Sequence, residues 1–317
     1  QAGATAIRQH SRMSFLSLLA ALLLEQFRPL PPRYLVHAPL VRLATFLERR
    51  FNAGERRHGI IAWSVGIGGT LLFTGGVTVL LAYLSPFLAW SWNVAVLYLA
   101  MGFRQSSHFY TQIRLALRME DLPRARRILA EWRGYSTVGL TVADVARQAM
   151  AQALHDSHRR LFAVFFWFLL LPGPYGAVLY RVAACFASTW GRRADAGHGE
   201  FGRFARQTFA IIDWLPVRLT AAGFAIVGDF EDAVYCWRTQ ADKWSPDELG
   251  IVLASASGAL DVRLDTPAFA SGESVDRTEI GTGDETDVDR MERVVSLVLR
   301  ALVLWLLLLG LANLVGD

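Results

Sequence analysis

The sequence predicts an all-α, polytopic integral membrane protein. Hydrophobic residues make up 53% of the chain and charged residues only 19%, which is too apolar for an ordinary soluble domain. The runs Gly59–Leu84 and Val294–Val315 carry at most one charge each and are long enough to cross a bilayer as helices. We expect about five or six hydrophobic segments in all, with broken or re-entrant helices around residues 161–219.

Basic side chains are concentrated in the loops beside the apolar runs. Of 32 basic residues only Lys243 is a lysine, and the net charge is +4. The positive-inside rule explains arginine-rich loops of this kind, so they do not indicate a nucleic-acid partner. The sequence therefore predicts a multi-pass membrane protein with the lipid bilayer as its partner. Cys185 and Cys236 lack metal or disulfide spacing and are expected to be buried.

The N-terminal third is expected to hold the first membrane segments. Residues 1–12 precede the first methionine and are set aside as a leader. Residues 13–103 begin with a short retained anchor and end with a hairpin of two uncharged runs. Between them, residues 39–51 place apolar side chains at helical spacing with arginines opposite, which indicates an amphipathic helix on the membrane surface.

Polar and apolar segments alternate through the rest of the chain. Residues 104–160 carry ten arginines against five acids and predict a helical cytoplasmic domain. Residues 161–227 are apolar enough to lie in a membrane, but Pro172-Gly173-Pro174 and the segment 213–218 interrupt them. These interruptions predict broken membrane helices. Residues 228–293 form an acidic polar loop domain, and residues 294–317 a C-terminal transmembrane helix.

Charges within the broken runs are the first candidate site residues. Arg181, Asp213 and Arg218 lie in otherwise apolar stretches, and an intramembrane charge is costly unless it faces a partner or a cavity. Together with Tyr180, they suggest a ligand pocket in which guanidinium groups donate to an anion. The alternatives are an internal clasp between arginine and aspartate that holds a broken helix together, or arginines whose side chains extend to the membrane interface.

A second candidate group precedes the broken region. His155 and Asp156 are adjacent, and His158 shares a helical face with His155. A metal site would need a further ligand from elsewhere in the fold, so no metal is assigned. The alternative is a solvated helix end at the membrane edge. The sequence identifies no catalytic residue, because it contains no nucleophile elbow, P-loop or dinucleotide fingerprint.

Four motifs carry a family resemblance over most of the chain. They are, in order, Pro172-Gly173-Pro174-Tyr175-Gly176-Ala177, Tyr180-Arg181, the run from Asp213 to Thr220, and the run from Ser257 to Leu264. Their order and spacing resemble the CobD/CbiB cobalamin-biosynthesis membrane proteins. They also resemble the related AmpE, a membrane protein linked to β-lactamase induction.

The resemblance to CobD/CbiB proteins implies an inner-membrane, ATP-dependent ligation that joins an aminopropanol arm to a corrin carboxylate. The chain departs from that branch at its acidic signature. His155-Asp156 and then Arg159 stand where the branch has Glu-Asn and then Asp; Ala184–Ala187 replace Asn-Thr-x-Asp; and Phe209 and Ala210 replace an acidic pair. Carboxylates would hold Mg²⁺ through hard oxygen ligands, so ATP and Mg²⁺ are expected only if ligase activity is retained.

Two functions remain open on this evidence. The first is a CobD/CbiB-type ligase, degenerate at its catalytic acids, with a corrinoid or another anionic small molecule as ligand. The second is an AmpE-like sensor without catalysis. The sequence leaves the oligomeric state open.

Overall fold

The computed structural model describes residues 15–25, 37–52, 54–195, 200–241, 249–265, 279–280 and 288–315. Within these ranges the regular secondary structure is helical apart from a two-residue antiparallel ladder, in which Leu264 pairs with Ile280. The elements are α1 (Phe15–Glu25), α2 (His37–Phe51), α3 (Arg56–Leu84), α4 (Pro86–Met101), α5 (Phe103–Arg118), α6 (Leu122–Arg133), α7 (Val142–Ser157), a π-helical turn (His158–Phe162), α8 (Ala163–Leu170), α9 (Tyr175–Asp195), α10 (Phe201–Val227), α11 (Phe230–Gln240), α12 (Leu249–Leu260), β1 (Leu264–Asp265), β2 (Glu279–Ile280), a 3₁₀ turn (Val288–Arg290) and α13 (Met291–Val315).

Four helical stretches are long and apolar enough to cross a membrane. They are Arg56–Leu84, Pro86–Arg118, Phe201–Val227 and Val288–Ala312, and α1 and α12 are shorter apolar helices. Large hydrophobic side chains such as Leu72 and Phe73 of α3 point outward, as expected of surfaces that contact lipid tails. The chain is therefore a multi-pass, membrane-embedded helical protein, and the predicted all-α class is confirmed.

The described residues form two compact units, each assembled from separated stretches of sequence. The first unit comprises Gln1–Gly102, Ala163–Asp213 and Ala312–Asp317, and the second comprises Phe103–Phe162 and Trp214–Leu311. The boundary between the units falls inside α10, between Asp213 and Trp214.

In the first unit, the apolar face of α2 packs on α3 and α9. The indole N–H of Trp190 donates to the backbone carbonyl of Ala44 over 3.1 Å, and the Trp190 ring stacks on Phe186. Ala44 and Leu47 are buried, whereas Arg42, Arg49 and Arg50 are exposed. The predicted amphipathic helix at 39–51 therefore exists, and its buried face meets protein.

In the second unit, α5, α6 and α7 pack together with α12. The start of α6 was predictable: Asp121 accepts a hydrogen bond from the backbone N–H of Arg124, and Pro123 lies in the first turn. The π-helical turn follows α7 directly and carries Phe162, whose ring lies 5.7 Å from those of both Phe224 and Trp305. Aromatic packing thus holds this turn in place. Both cysteines are buried thiols outside any disulfide, as predicted.

The two expected helix interruptions have different outcomes. The chain leaves helical structure between α8 and α9, where Gly173 has φ +61°. Pro216, in contrast, lies inside the continuous helix α10, so the predicted break at 213–218 is wrong. A proline removes the hydrogen bond to the carbonyl four residues earlier, here that of Ile212. The indole N–H of Trp167 donates to this carbonyl instead, over 3.2 Å, and the helix continues.

Candidate functional sites

In the first unit, Tyr180 and Asp213 meet between α9 and α10. The Tyr180 hydroxyl donates to Oδ1 of Asp213 over 2.8 Å, and the two residues are 0% and 3% exposed. The Tyr180 ring packs against Phe209 at 5.4 Å. Burying a carboxylate in a membrane span costs free energy unless a hydrogen-bond donor accompanies it. The Tyr180 hydroxyl is such a donor for Asp213. The structure thus brings together two of the predicted site residues.

The two arginines of that predicted pocket have separate surroundings. Arg181 follows Tyr180 in α9 and is half-buried. Arg218 belongs to the second unit, where Nη1 donates to the carbonyl of Trp214 over 2.8 Å and the guanidinium lies 4.1 Å from the centre of the Trp214 ring. This is a cation–π contact within one turn of α10. The anion pocket predicted from these arginines stays a prediction.

In the second unit, Asp156 is the centre of a buried polar cluster. Its Oδ2 accepts from the hydroxyl of Ser106 on α5 and from the indole N–H of Trp132 on α6, the latter over 3.2 Å. Its Oδ1 accepts from the Gln152 amide at 2.9 Å and lies 3.2 Å from Nδ1 of His155. Nε of Arg160, in the π-helical turn, lies 3.5 Å from Oδ2. Asp156 is only 3% exposed, and this donor set solvates its charge.

The cluster keeps Asp156 ionised. Burial alone would raise the pKa of this carboxyl group, but the positive charge of Arg160 and the hydrogen bonds from His155 and Ser106 outweigh burial. The pKa of Asp156 therefore lies well below its ordinary value. For His155, burial lowers the pKa of the imidazole more than the neighbouring Asp156 raises it, so the neutral ring is favoured.

Sequence reasoning found His155 and Asp156 but missed the residues around them. Arg160 was within reach, because it follows Asp156 by four residues. Ser106 and Trp132 come from other helices, 50 and 24 residues away in sequence, and no local pattern marks them. The interpretation of this region as a solvated helix end is wrong for Asp156, which is buried.

The described residues do not fit a magnesium site. Among them no group of three or more His, Cys, Asp or Glu side chains could hold a metal ion. The oxygens of Asp156 are occupied by nitrogen and hydroxyl donors, and Mg²⁺ prefers several free oxygen ligands in octahedral geometry. We therefore assign no chemical step to a metal ion.

These observations define a multi-pass helical membrane protein in which Asp213 of the first unit and Asp156 of the second are buried and hydrogen-bonded. Comparison with known proteins gives the family: a model of the CobD/Cbib protein family matches residues 18–298. The chain is 34% identical to cobalamin biosynthesis protein CobD of Stutzerimonas stutzeri over 299 residues, which cover 93% of this chain and 96% of that protein.

Two further relatives extend the comparison. The CobD protein of Chromobacterium violaceum is 33% identical over 317 residues, covering 96% of this chain and 98% of the relative. Cobalamin biosynthesis protein CbiB of Salmonella typhimurium is 27% identical, covering 84% of this chain and 87% of the relative. The chain belongs to the CobD/CbiB family. No solved structure matches it, and the comparisons provide no evidence for the AmpE-like alternative.

Proposed function

We propose that this protein acts in cobalamin biosynthesis at the bacterial inner membrane, where it joins an aminopropanol arm to a corrin carboxylate by an ATP-dependent amide ligation. One observation carries the proposal: the similarity to CobD proteins extends over 93% and 96% of this chain, at 34% and 33% identity. Similarity over nearly the whole of both chains includes the buried cluster around Asp156 as well as the spans. A corrinoid carboxylic acid is the anionic ligand that this function requires.

The second feature that bears on this proposal is the buried polar cluster around Asp156. Asp156 is ionised in a helix that lies outside the candidate spans, and it holds the polar groups of three helices together. Buried, fully bonded charges of this kind are common at functional sites, although ion-pair networks also occur for structural reasons. By the motif resemblance, this position corresponds to a Glu-Asn signature of the family, which is His155-Asp156 in this chain.

Genetic complementation tests the proposed ligation. A bacterial strain that lacks its own synthase grows when it receives cobinamide, which already carries the arm. With this protein expressed, the strain should also grow on the corrin carboxylic acid that lacks the arm. Growth on cobinamide serves as the control for viability, and an immunoblot of the membrane fraction as the control for expression. Failure to grow on the acid while the protein is present in the membrane would refute the ligation.

A further inference from the structure

His155 has two ring nitrogens with different surroundings. Nδ1 lies 3.2 Å from Oδ1 of Asp156. Because Asp156 is ionised and can only accept, Nδ1 carries the proton and donates it to this hydrogen bond. Nε2 is then the unprotonated nitrogen, with a lone pair directed away from Asp156. Asp156 thereby selects the tautomer of the neutral ring.

The imidazoles of His155 and His158 differ in their exposure and in their hydrogen bonds. Nε2 of His155 makes no hydrogen bond to any residue in the described ranges. It is also not one of the fully buried side-chain nitrogens and oxygens that lack a partner. The His155 side chain is 27% exposed. His158, three residues later, is 0% exposed, and its Nδ1 lies 3.0 Å from the Thr220 hydroxyl. Of these two imidazoles, His155 is the one that can receive a proton from a bound molecule.

The charged groups around His155 leave its imidazole neutral, so the ring can accept a proton. Asp156 favours the protonated ring, whereas His158 and Arg159 oppose it, in addition to burial. The carboxylate itself is held in position, because Ser106, Trp132 and Gln152 bind it from three helices. A fixed carboxylate behind a neutral imidazole is an arrangement that orients a general base.

We propose that His155 is the general base of the amide-forming step and that Asp156 is its positioning residue. This inference rests on the proposed ligation.

In the amide-forming step, the amine nitrogen of aminopropanol attacks the carbonyl carbon of a corrin acyl phosphate, whose phosphate group comes from ATP. The C–N bond forms, the C–O bond to phosphate breaks, and phosphate leaves with the electron pair. The proton lost from nitrogen moves to Nε2 of His155 and passes from there to water. The positive charges of Arg159 and Arg160, in the π-helical turn that follows α7, suit the anionic leaving group.

The variant His155→Ala tests the inference in the full-length protein, with the corrin acid, aminopropanol and Mg-ATP as substrates. General-base catalysis contributes about 10²–10⁴-fold, so we expect kcat to fall at least about 100-fold while KM for aminopropanol changes little. Added imidazole should restore part of kcat, because a free base can replace the missing ring. The matched control is His108→Ala, since His108 is an exposed histidine on α5 that contacts Gln112.

The outcomes separate the two proposals. An inactive wild-type protein refutes the ligation, and the inference fails with it. An active wild type with a fully active His155→Ala variant overturns the inference alone. A loss of kcat that imidazole does not restore also overturns it, because a structural role predicts that result.

Chemical labelling tests the accessibility of Nε2 without any activity. Diethyl pyrocarbonate acylates unprotonated imidazoles that solvent can reach. In the folded protein, mass spectrometry should find His155 and His108 modified and His158 protected. An unmodified His155 beside a modified His108 would show that Nε2 is not available and would overturn the inference.

Discussion

Two prolines in apolar stretches, Pro172 and Pro216, have opposite consequences for the helical structure around them. Pro172 lies in the connection between α8 and α9, where a second proline follows at 174 and Gly173 adopts positive φ. Pro216 lies within α10, which continues for another eleven residues to Val227. The comparison shows that proline ends a helix when the neighbouring residues also turn the chain. It is tolerated when another donor meets the released carbonyl.

Trp167 takes part in both outcomes. Its backbone carbonyl accepts from the N–H of Leu171 in the last turn before the break, over 3.1 Å. Its indole N–H donates to Ile212, the carbonyl that Pro216 leaves without its helical partner. Trp167, on α8, is therefore the residue whose side chain stabilises α10 beside Pro216.

The largest expected effect is at Gly176, in the first turn of α9 after the break. A Cβ atom at this position would lie 1.8 Å from the backbone carbonyl oxygen of Trp167, a clash that only backbone movement can relieve. Gly176→Ala should reduce the free energy of unfolding by roughly 3 kcal/mol or more. Thermal unfolding of the purified protein in detergent, followed by tryptophan fluorescence, measures this change.

The matched control for that variant is Gly76→Ala. Gly76 is also helical, in α3, and a Cβ there would meet nothing within 4 Å. We expect a neutral or slightly stabilising effect, because alanine favours helix over glycine. Equal effects of the two substitutions would show that α8 and α9 are not packed as closely as the structure indicates.

The next effect is at Trp167. Trp167→Phe removes the indole donor and leaves the carbonyl of Ile212 without it, which should cost about 1–3 kcal/mol of stability. In a Pro216→Ala background the cost should be smaller, since the backbone N–H of residue 216 can then bind the same carbonyl. A double-mutant cycle measures this coupling energy.

Trp63→Phe controls for the loss of indole volume. The indole N–H of Trp63 is buried without a hydrogen-bond partner among the described residues, so this substitution removes size but no bond. If Trp167→Phe costs the same with either residue at position 216, the indole does not compensate for the proline.

The smallest effect is at Gly173, which adopts φ +61° in the connection. A residue with a Cβ in this left-handed region costs roughly 1–2 kcal/mol, so Gly173→Ala should lower the unfolding midpoint by a few degrees. Gly173→Asn should lower it less, because asparagine tolerates this conformation better than other residues. Alanine and asparagine variants of equal stability would argue against a left-handed backbone at this position.

Much of the architecture could be predicted because it depends on local chemistry. A charge-free run such as Gly59–Leu84 must be helical to satisfy its backbone in lipid, and it forms α3. The cap at Asp121 and the proline at 123 define the start of α6 within a few residues of sequence. The break at Pro172–Pro174 was predictable for the same reason, since two prolines and a glycine act locally.

The candidate sites were predictable only in part. His155 and Asp156 were identifiable as adjacent polar residues, and Asp213 as a charge inside an apolar run. Their partners were not, because Tyr180 reaches Asp213 from a separate helix and Ser106 reaches Asp156 across 50 residues of sequence. Arg218 was expected in a pocket with Arg181, and its observed contacts with Trp214 come from packing within α10.

The sequence by itself determined the helical membrane class, the approximate extents of α3 and α13, the start of α6 and the family, because hydrophobic length, capping residues and motif order are properties of neighbouring residues. Tertiary structure alone decided that α10 continues through Pro216, that Asp156 is a buried cluster centre, and that Tyr180 meets Asp213. The physical reason is that each outcome depends on a donor brought from another helix, or on burial, and neither is encoded within a few residues of the group that it affects.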